Sequence, residues 1–314
     1  MRIFVSIASY CDPVLDFTLR QAAAMADDPR RLHFGVVDQS PAGQPRLLAP
    51  GRGARLSQVR IDPVDARGPC WARAIAMSLH DGEDWFLQID SHTDFDPGWD
   101  ATLVRQARAL GAPERGLVIS SYPNAFSFEN GLVVRRPTTQ GVLAHVVKPG
   151  AAFEAEHPVL GFEAHPVETD APLAGFHLGA GCLFAPGTFV QAFPYDPWLY
   201  FHGEEQALAL RLFTHGWDIV HVPGLPLHHL YNNAASGAPP RPLHWDAEVD
   251  RQRDTDWWTL ERRSRQRLAA LVSGQPLGAY GLGTVRTLAD YAAFSGIDYT
   301  ARTLAPQAFR PRAG

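Results

Sequence analysis

Apolar positions in this chain cluster in short blocks of strand length, each closed by polar side chains. "RIFVSIASY" (2–10), "RLHFGVVDQS" (31–40), "RLSQVRIDP" (55–63), "DWFLQID" (84–90) and "GLVISSYP" (116–123) read as strands, and helical spacing fills the gaps after the first, third and fourth. The first helix is expected to start at Asp12-Pro13, a capping residue followed by proline, and to run through "VLDFTLRQAAAMA". A second covers "PCWARAIAMSLH", and a third begins at Asp96-Pro97. Strands interleaved with helices imply an α/β fold with a Rossmann-like, mostly parallel central sheet and helices on both faces. Ligands of such sheets gather beyond the carboxyl ends of the strands.

From about 124 to 172 the periodicity weakens and Gly, Pro and Thr accumulate, which predicts irregular hairpins over the sheet. Order returns at "GFHLGAGCLFAPGTF". A helix "GEEQALALRLFTHG", closed by Gly216, a strand "WDIVHVP" and the His-rich "PLHHLYNN" follow. The tail holds two helical patterns, "DWWTLERRSRQRLAALV" and "TVRTLADYAAF", split by Gly-rich "GQPLGAYGLG". The chain therefore divides into residues 1–235, carrying the sheet and its polar edge, and a helical extension, 236–314, packed on it.

The 314 residues, 46% hydrophobic, can bury a large core. A net charge of -5 without Lys/Arg blocks argues against a nucleic-acid or anionic-membrane surface, and leaves room for a small anionic ligand. Cys11, Cys70 and Cys182 are odd in number and far apart, which suggests neither a disulfide framework nor a zinc knuckle. A strand pattern begins at residue 2 and no apolar run approaches the roughly 18 residues of a membrane span, so a cytoplasmic protein without signal peptide is expected.

The chemistry concentrates in "WFLQIDSHTDFDPGWD" (85–100), where a buried strand runs into Asp90, Ser91 and His92. In extended backbone, residues i and i+2 share a side, so Asp90 and His92 can meet one ligand while Ser91 turns away. A carboxylate with an imidazole suits a divalent transition metal, and the third ligand is expected from His228 or His229, directly after another strand. The bland reading is that Asp90 caps a turn and His92 is a loop residue. Against it stand other polar clusters at predicted strand ends: Ser9-Tyr10-Cys11-Asp12 and Asp38-Gln39.

"FVSIASYCDP", "ARGPCWAR", "LQIDSHTDFDPGWD", "YDPWLYFHGEE", "RLFTHGWDIVHVP" and "HHLY", in this order, resemble the polypeptide α-N-acetylglucosaminyltransferases that modify hydroxyproline on a Skp1-like protein, GT-A glycosyltransferases of family 60 (GT60). The similarity runs from about Arg2 to Ile297, tail motif "GAYGLGTVRTLADYAAFSGIDY" included. It implies a GT-A fold, a UDP-sugar donor (UDP-GlcNAc first), a Mn2+-type ion, and retention of anomeric configuration. The acceptor would be a hydroxyl of a peptide, protein or glycan, met on the side of the C-terminal extension.

Carried over residue by residue, Asp90-Ser91-His92 matches a variant of the Asp-X-Asp metal motif, with His229 as first choice for the third ligand and His228 as reserve. Imidazole favours Mn2+ over Mg2+. Ser9, Tyr10 and Asp38 follow the first two strands, where uracil and ribose are held. Arg67 and Arg73 flank a helix start beside the diphosphate, although Arg73 also fits a solvated helix face. Gly179 and Gly181 would let backbone approach the sugar, or mark a bulge. Glu204 or Glu205 would contact donor sugar or acceptor, with helix capping as the plainer role. Trp198 and Tyr200 are candidates for the sugar or acceptor cleft, Trp85 for the core and Trp99 for helix packing. Where relatives are expected to carry arginine, this chain has Cys11 and Asp94, which leaves donor preference open. Rival readings are a nucleotide-sugar hydrolase or nucleotidyltransferase using the same pocket, and a non-catalytic carbohydrate-binding protein on the same fold.

Overall fold

The computed structural model describes residues 1–112, 114–231, 237 and 239–312. The boundary expected at 235/236, and Asn232-Asn233 of the His-rich motif, lie outside the described residues. Strands β1 (Ile3–Tyr10), β2 (Leu32–Gln39), β3 (Arg55–Arg60) and β4 (Trp85–Asp90) form at the predicted blocks. After them come β5 (Thr93–Phe95), β6 (Leu117–Ile119), the hairpins β7 (Asn124–Glu129) with β8 (Leu132–Arg136) and β9 (Val142–Val147) with β10 (Phe162–Val167), then β11 (Leu173–Gly175), β12 (Cys182–Pro186), β13 (Asp218–His221) and β14 (Leu227–His229). The helices are α1 (Leu15–Met25), α2 (Pro69–Met77), α3 (Trp99–Ala109), the short α4 (Phe189–Ala192), α5 (Glu204–Thr214), the short α6 (Ala247–Asp250), α7 (Trp257–Val272) and α8 (Leu288–Ser295).

Eight strands make the central sheet in the order β11-β13-β6-β12-β4-β1-β2-β3. β12 runs antiparallel to β4 and β6, and β11 antiparallel to β13; the other six strands share one direction. This is the mostly parallel α/β sheet the pattern predicts. β2 is buried along its whole length and β1 nearly so, as strands covered on both faces must be, whereas β3 at the edge is half-exposed.

Alternation along β1 sends Ile3, Val5 and Ile7 to one face, where Leu15, Leu19, Ala22 and Trp99 of α1 and α3 cover them. Phe4 goes to the other face, with residues of α2, α5 and α7, among them Cys70, Leu208 and Leu268. Tyr291 of α8 shares a third cluster with Phe176 and Leu210 of α5. The C-terminal helices are thus built into the core of the sheet-bearing part. A second sheet, β5-β14-β7-β8, lies beyond the end of β4 and contains one of the hairpins expected between 124 and 172.

Two helix starts differ from expectation. α1 begins at Leu15, because the Asp12 carboxylate accepts the Val14 N–H (2.9 Å) in a turn before the helix, and Cys11 at φ 47° swings Asp12 inward. α3 begins at Trp99, since Gly98 takes a left-handed φ of 71° at the cap position. Trp85 and Trp99 are both buried, and the Trp99 indole donates to the Ala22 carbonyl (2.9 Å).

Candidate active site

At the carboxyl end of β4 the chain turns sharply and is tied to α1. Thr18 Oγ1 donates to the Ser91 carbonyl and accepts the Thr93 N–H, both at 2.9 Å. β5 then pairs antiparallel with β14 in the register His229↔Thr93 and His228↔Asp94, and the Leu230 N–H closes on the His92 carbonyl (3.0 Å). This pairing carries a distant histidine to the motif. One ligand atom each from Asp90, His92 and His229 lies within 4.8 Å of the others, a group able to hold a metal ion. His229 Nε2 is 3.1 Å from Asp90 Oδ2, and the two imidazoles stand edge to face with centroids 4.7 Å apart. Neighbouring residues of a strand point to opposite sides, so the structure takes His228 elsewhere, with its Nε2 3.1 Å from Asp96 Oδ1.

Burial acts to raise the Asp90 carboxyl, but the hydrogen bond from His229 and the charge of Arg73 hold it well below the usual carboxylate range. Burial pushes His229 down despite its bond to Asp90. The pair therefore presents a carboxylate and a neutral imidazole, the protonation states in which both act as ligands.

Sequence reasoning missed Asp12 at this site because its position before a helix already gave it a role. Its Oδ2 accepts from Ser91 Oγ (2.7 Å) and Arg241 Nη1 (3.0 Å) and lies 2.7 Å from His92 Nδ1. A His92 that donates from Nδ1 to Asp12 keeps Nε2 as its lone-pair nitrogen, the tautomer a ligand needs. Burial opposes the charge on Asp12, yet the bonds from His92, Ser91 and Val14 keep its carboxyl below the ordinary range. Arg241, also unforeseen, lies against His92 Nδ1 as well.

Arg73 is 6% exposed, so the solvated-face reading does not hold. Its Nη2 donates to Asp90 Oδ1 (3.2 Å) and its Nη1 to Glu204 Oε1, linking α2, β4 and the start of α5. The other Glu204 oxygen accepts from Cys70 Sγ (2.7 Å). Burial and the Glu204 charge push the Cys70 thiol well up, against Arg73, which makes it no thiolate nucleophile. Burial also raises Glu204, opposed by Arg73. Glu205 is partly open to solvent; one of its oxygens accepts the Ala180 N–H (2.7 Å) and the other lies 3.7 Å from His177 Nε2.

That bond anchors the turn Gly179–Cys182 entering β12. A Cβ on Gly181 would lie 2.9 Å from Asp90 Oδ2, and one on Gly179 would lie 2.6 Å from His145 Cε1. The turn passes between the acidic cluster and a buried histidine, and neither position has space for a side chain.

On the β1–β2 side, Ser9 stands next to Asp38 in register. Among the described residues, Ser9 Oγ and Asp38 Oδ1 are buried without a partner, while Asp38 Oδ2 accepts from Gln58 Nε2 (3.0 Å). The Tyr10 hydroxyl accepts from Arg253 Nη2 (2.6 Å), and its ring is 5.0 Å from His244. Arg67 is exposed over Trp71 (5.8 Å) and lines a cavity of about 880 Å³ to which Asp90, His92 and His229 contribute nothing. Trp198 and Tyr200 line the same cavity. Cys11 donates to the Gln39 carbonyl (3.3 Å), and Asp94, where positive charge was expected, pairs with Arg135 of β8 (2.8 Å).

A mostly parallel sheet whose carboxyl edge gathers a carboxylate, two imidazoles and a buried arginine–glutamate link is the frame of a glycosyltransferase with a GT-A-like fold. The model of one family, Glycosyltransferase (GlcNAc), matches residues 2–51 and 44–301, and the chain belongs to that family. Among solved structures it is similar to "GalNAc-T7 with UDP, GalNAc and Mn2+", with a TM-score of 0.56 at 13% identity over 93% of this chain. The match covers 54% of the GalNAc-T7 chain, so the present chain spans about half of that protein's length. It also matches "S. aureus TarS 1-349", with a TM-score of 0.40 and 15% identity over 71% of this chain and 60% of the other. No curated protein matches the chain. Among the described residues, no helix is long and apolar enough to cross a membrane.

Proposed function

We propose that this glycosyltransferase is a metal-dependent, retaining enzyme of the GT60 type that moves N-acetylglucosamine from UDP-GlcNAc to a hydroxyl of a peptide, protein or glycan. The observation that carries the reading is the convergence of Asp90, His92 and His229 beyond the end of β4. One carboxylate and two imidazoles suit Mn2+ better than Mg2+ or Ca2+. An ion held by these three residues would neutralise charge on the leaving diphosphate. The GlcNAc in the family's name supports the donor sugar, and the UDP and Mn2+ bound to GalNAc-T7 support the nucleotide and the ion.

The residues around the triad take complementary parts. Ser9 Oγ and Asp38 Oδ1, buried and unpartnered among the described residues, would hydrogen-bond the nucleoside, and Tyr10 offers its ring beside them. The amino end of α2, from Gly68, supplies N–H groups and a positive field for phosphate, and Arg73 behind it sets the carboxylate of Asp90. Both oxygens of Glu204 are engaged by Arg73 and Cys70, which supports a same-face displacement over attack by an enzyme carboxylate. Glu205, anchored on Ala180 and partly open, is the residue we assign to contact with the sugar or acceptor hydroxyl. Residues 1–235 carry most of this machinery, and 236–314 pack on it toward the acceptor, bringing Arg241 to Asp12 and Arg253 to Tyr10. The three free cysteines fit a reducing, cytoplasmic setting.

Thermal shift tests the reading, with UDP, UDP-GlcNAc, UDP-Gal and UDP-Glc each measured with and without Mn2+. UDP should stabilise only when Mn2+ is present, by about 2.7 kcal/mol at a hundred times Kd, and Asp90→Ala should abolish the shift. Mass spectrometry of the products then separates transfer from hydrolysis or nucleotidyl exchange. Absence of any shift would reject the reading.

A further inference from the structure

The cavity holding Arg67 is not accounted for by the metal and nucleotide groups. It opens between the outer face of α2, the loop before α5, and α7. Its lining carries four arginines, Arg67, Arg253, Arg263 and Arg267, against two carboxylates, Asp65 and Asp254, in a chain whose overall charge is -5. Arg267 is held by Asp196 (2.7 Å), and Arg253 by Tyr10 and Asp250. Arg67 and Arg263 are exposed and, among the described residues, form no ion pair. Trp198, 67% exposed, and Trp71 beneath Arg67 give the cavity flat apolar walls.

We propose that this cleft binds an acidic peptide segment of the acceptor, so that the enzyme selects protein hydroxyls with carboxylates nearby in sequence; the inference rests on the transferase reading above. Guanidinium groups on two walls match carboxylates at separate points of an extended chain, each pairing through a planar fork. The two aspartates decide between anionic polymers. A polyuronate, whose carboxylates are fixed on a stiff ring at every unit, cannot turn them away from Asp65 and Asp254, whereas a flexible acidic peptide can present amide donors there and its side chains to Arg67 and Arg263.

The test is fluorescence polarisation with labelled hexaglutamate, hexalysine and tetragalacturonate on the full chain, run beside the UDP/Mn2+ thermal shift. Hexaglutamate should bind, weaken with salt, and lose at least tenfold in affinity in Arg263→Glu, while the UDP/Mn2+ shift of that variant matches the parent. Gln266→Glu, which adds a charge on the same wall without removing an ion pair, should weaken binding in the same direction. Undetectable hexaglutamate binding, affinity within twofold in both variants, or preference for tetragalacturonate would each overturn the proposal. The parent's UDP/Mn2+ shift reports separately on the transferase reading, so the two cannot fail unnoticed together.

Discussion

Gly181→Ala isolates the metal centre from the fold. Gly181 does not use a left-handed φ, so alanine's backbone is admissible there, and the only question is where the methyl goes. It arrives 2.9 Å from Asp90 Oδ2 and 3.7 Å from His229 Cδ2, where ordinary contact begins at 3.4 Å. The carboxylate must retreat by about half an ångström, more than the roughly 0.2 Å tolerance of a metal–ligand distance. Mn2+ affinity should therefore fall at least tenfold, about 1.4 kcal/mol, with turnover falling alongside. Gly179→Ala is the control, because its methyl lands 2.6 Å from the buried His145 ring and misses the carboxylate. It should cost about 1–3 kcal/mol of stability through overpacking while leaving Mn2+ affinity within threefold. Mn2+ titration followed by electron paramagnetic resonance gives the affinities, and urea unfolding gives the stabilities. Parent-like Mn2+ binding by Gly181→Ala would refute the assignment of Asp90 as a ligand.

Asp12→Asn removes the acceptor that fixes the His92 tautomer without touching an ion, and should weaken Mn2+ roughly 10- to 100-fold; calorimetric affinity equal to the parent would show Asp12 to be a turn residue only. Arg73→Met strands Glu204 buried and unpaired, at a cost of about 3–5 kcal/mol in urea unfolding, and adding Glu204→Gln should recover part of it, so simple additivity would contradict the coupling. Acid weakens the fold through His221, whose burial lowers its pKa to about 4: the unfolded chain takes up the proton first as pH falls below about 6.5, and stability is lost down to about pH 4. At pH 5 this single group should have cost about 2 kcal/mol, with His145 and His177 acting in the same direction, and a flat urea midpoint between pH 7 and 5 would contradict their burial as neutral rings.

What the sequence discloses follows from how local each signal is. β1, β2 and β4 are legible because strands buried on both faces are unbroken apolar blocks, and a polar residue at their ends stands out. Asp90 and His92 are legible because their spacing is itself the geometry. Asp12 was visible but taken by a cheaper local explanation, a helix cap, and only tertiary contact shows its second oxygen turned to His92. Arg73 has no local signature, since helical spacing cannot distinguish a half-buried edge from a guanidinium aimed at two carboxylates.

The choice between His228 and His229 is a different kind of problem. Both sit in a three-residue strand, too short to show a period, and which of them faces Asp90 depends on the pairing His229↔Thr93 across β5 and β14. A slip of one residue would exchange the two rings, sending His229 toward Asp96 and His228 toward Asp90. That register is pinned outside the strand, by the Leu230 N–H on the His92 carbonyl and by Tyr231, which packs on His229 and reaches the Pro123 carbonyl (2.8 Å). The third member of the cluster is therefore selected by backbone contacts of its neighbours. The two histidines offer the same imidazole, and only their placement separates them.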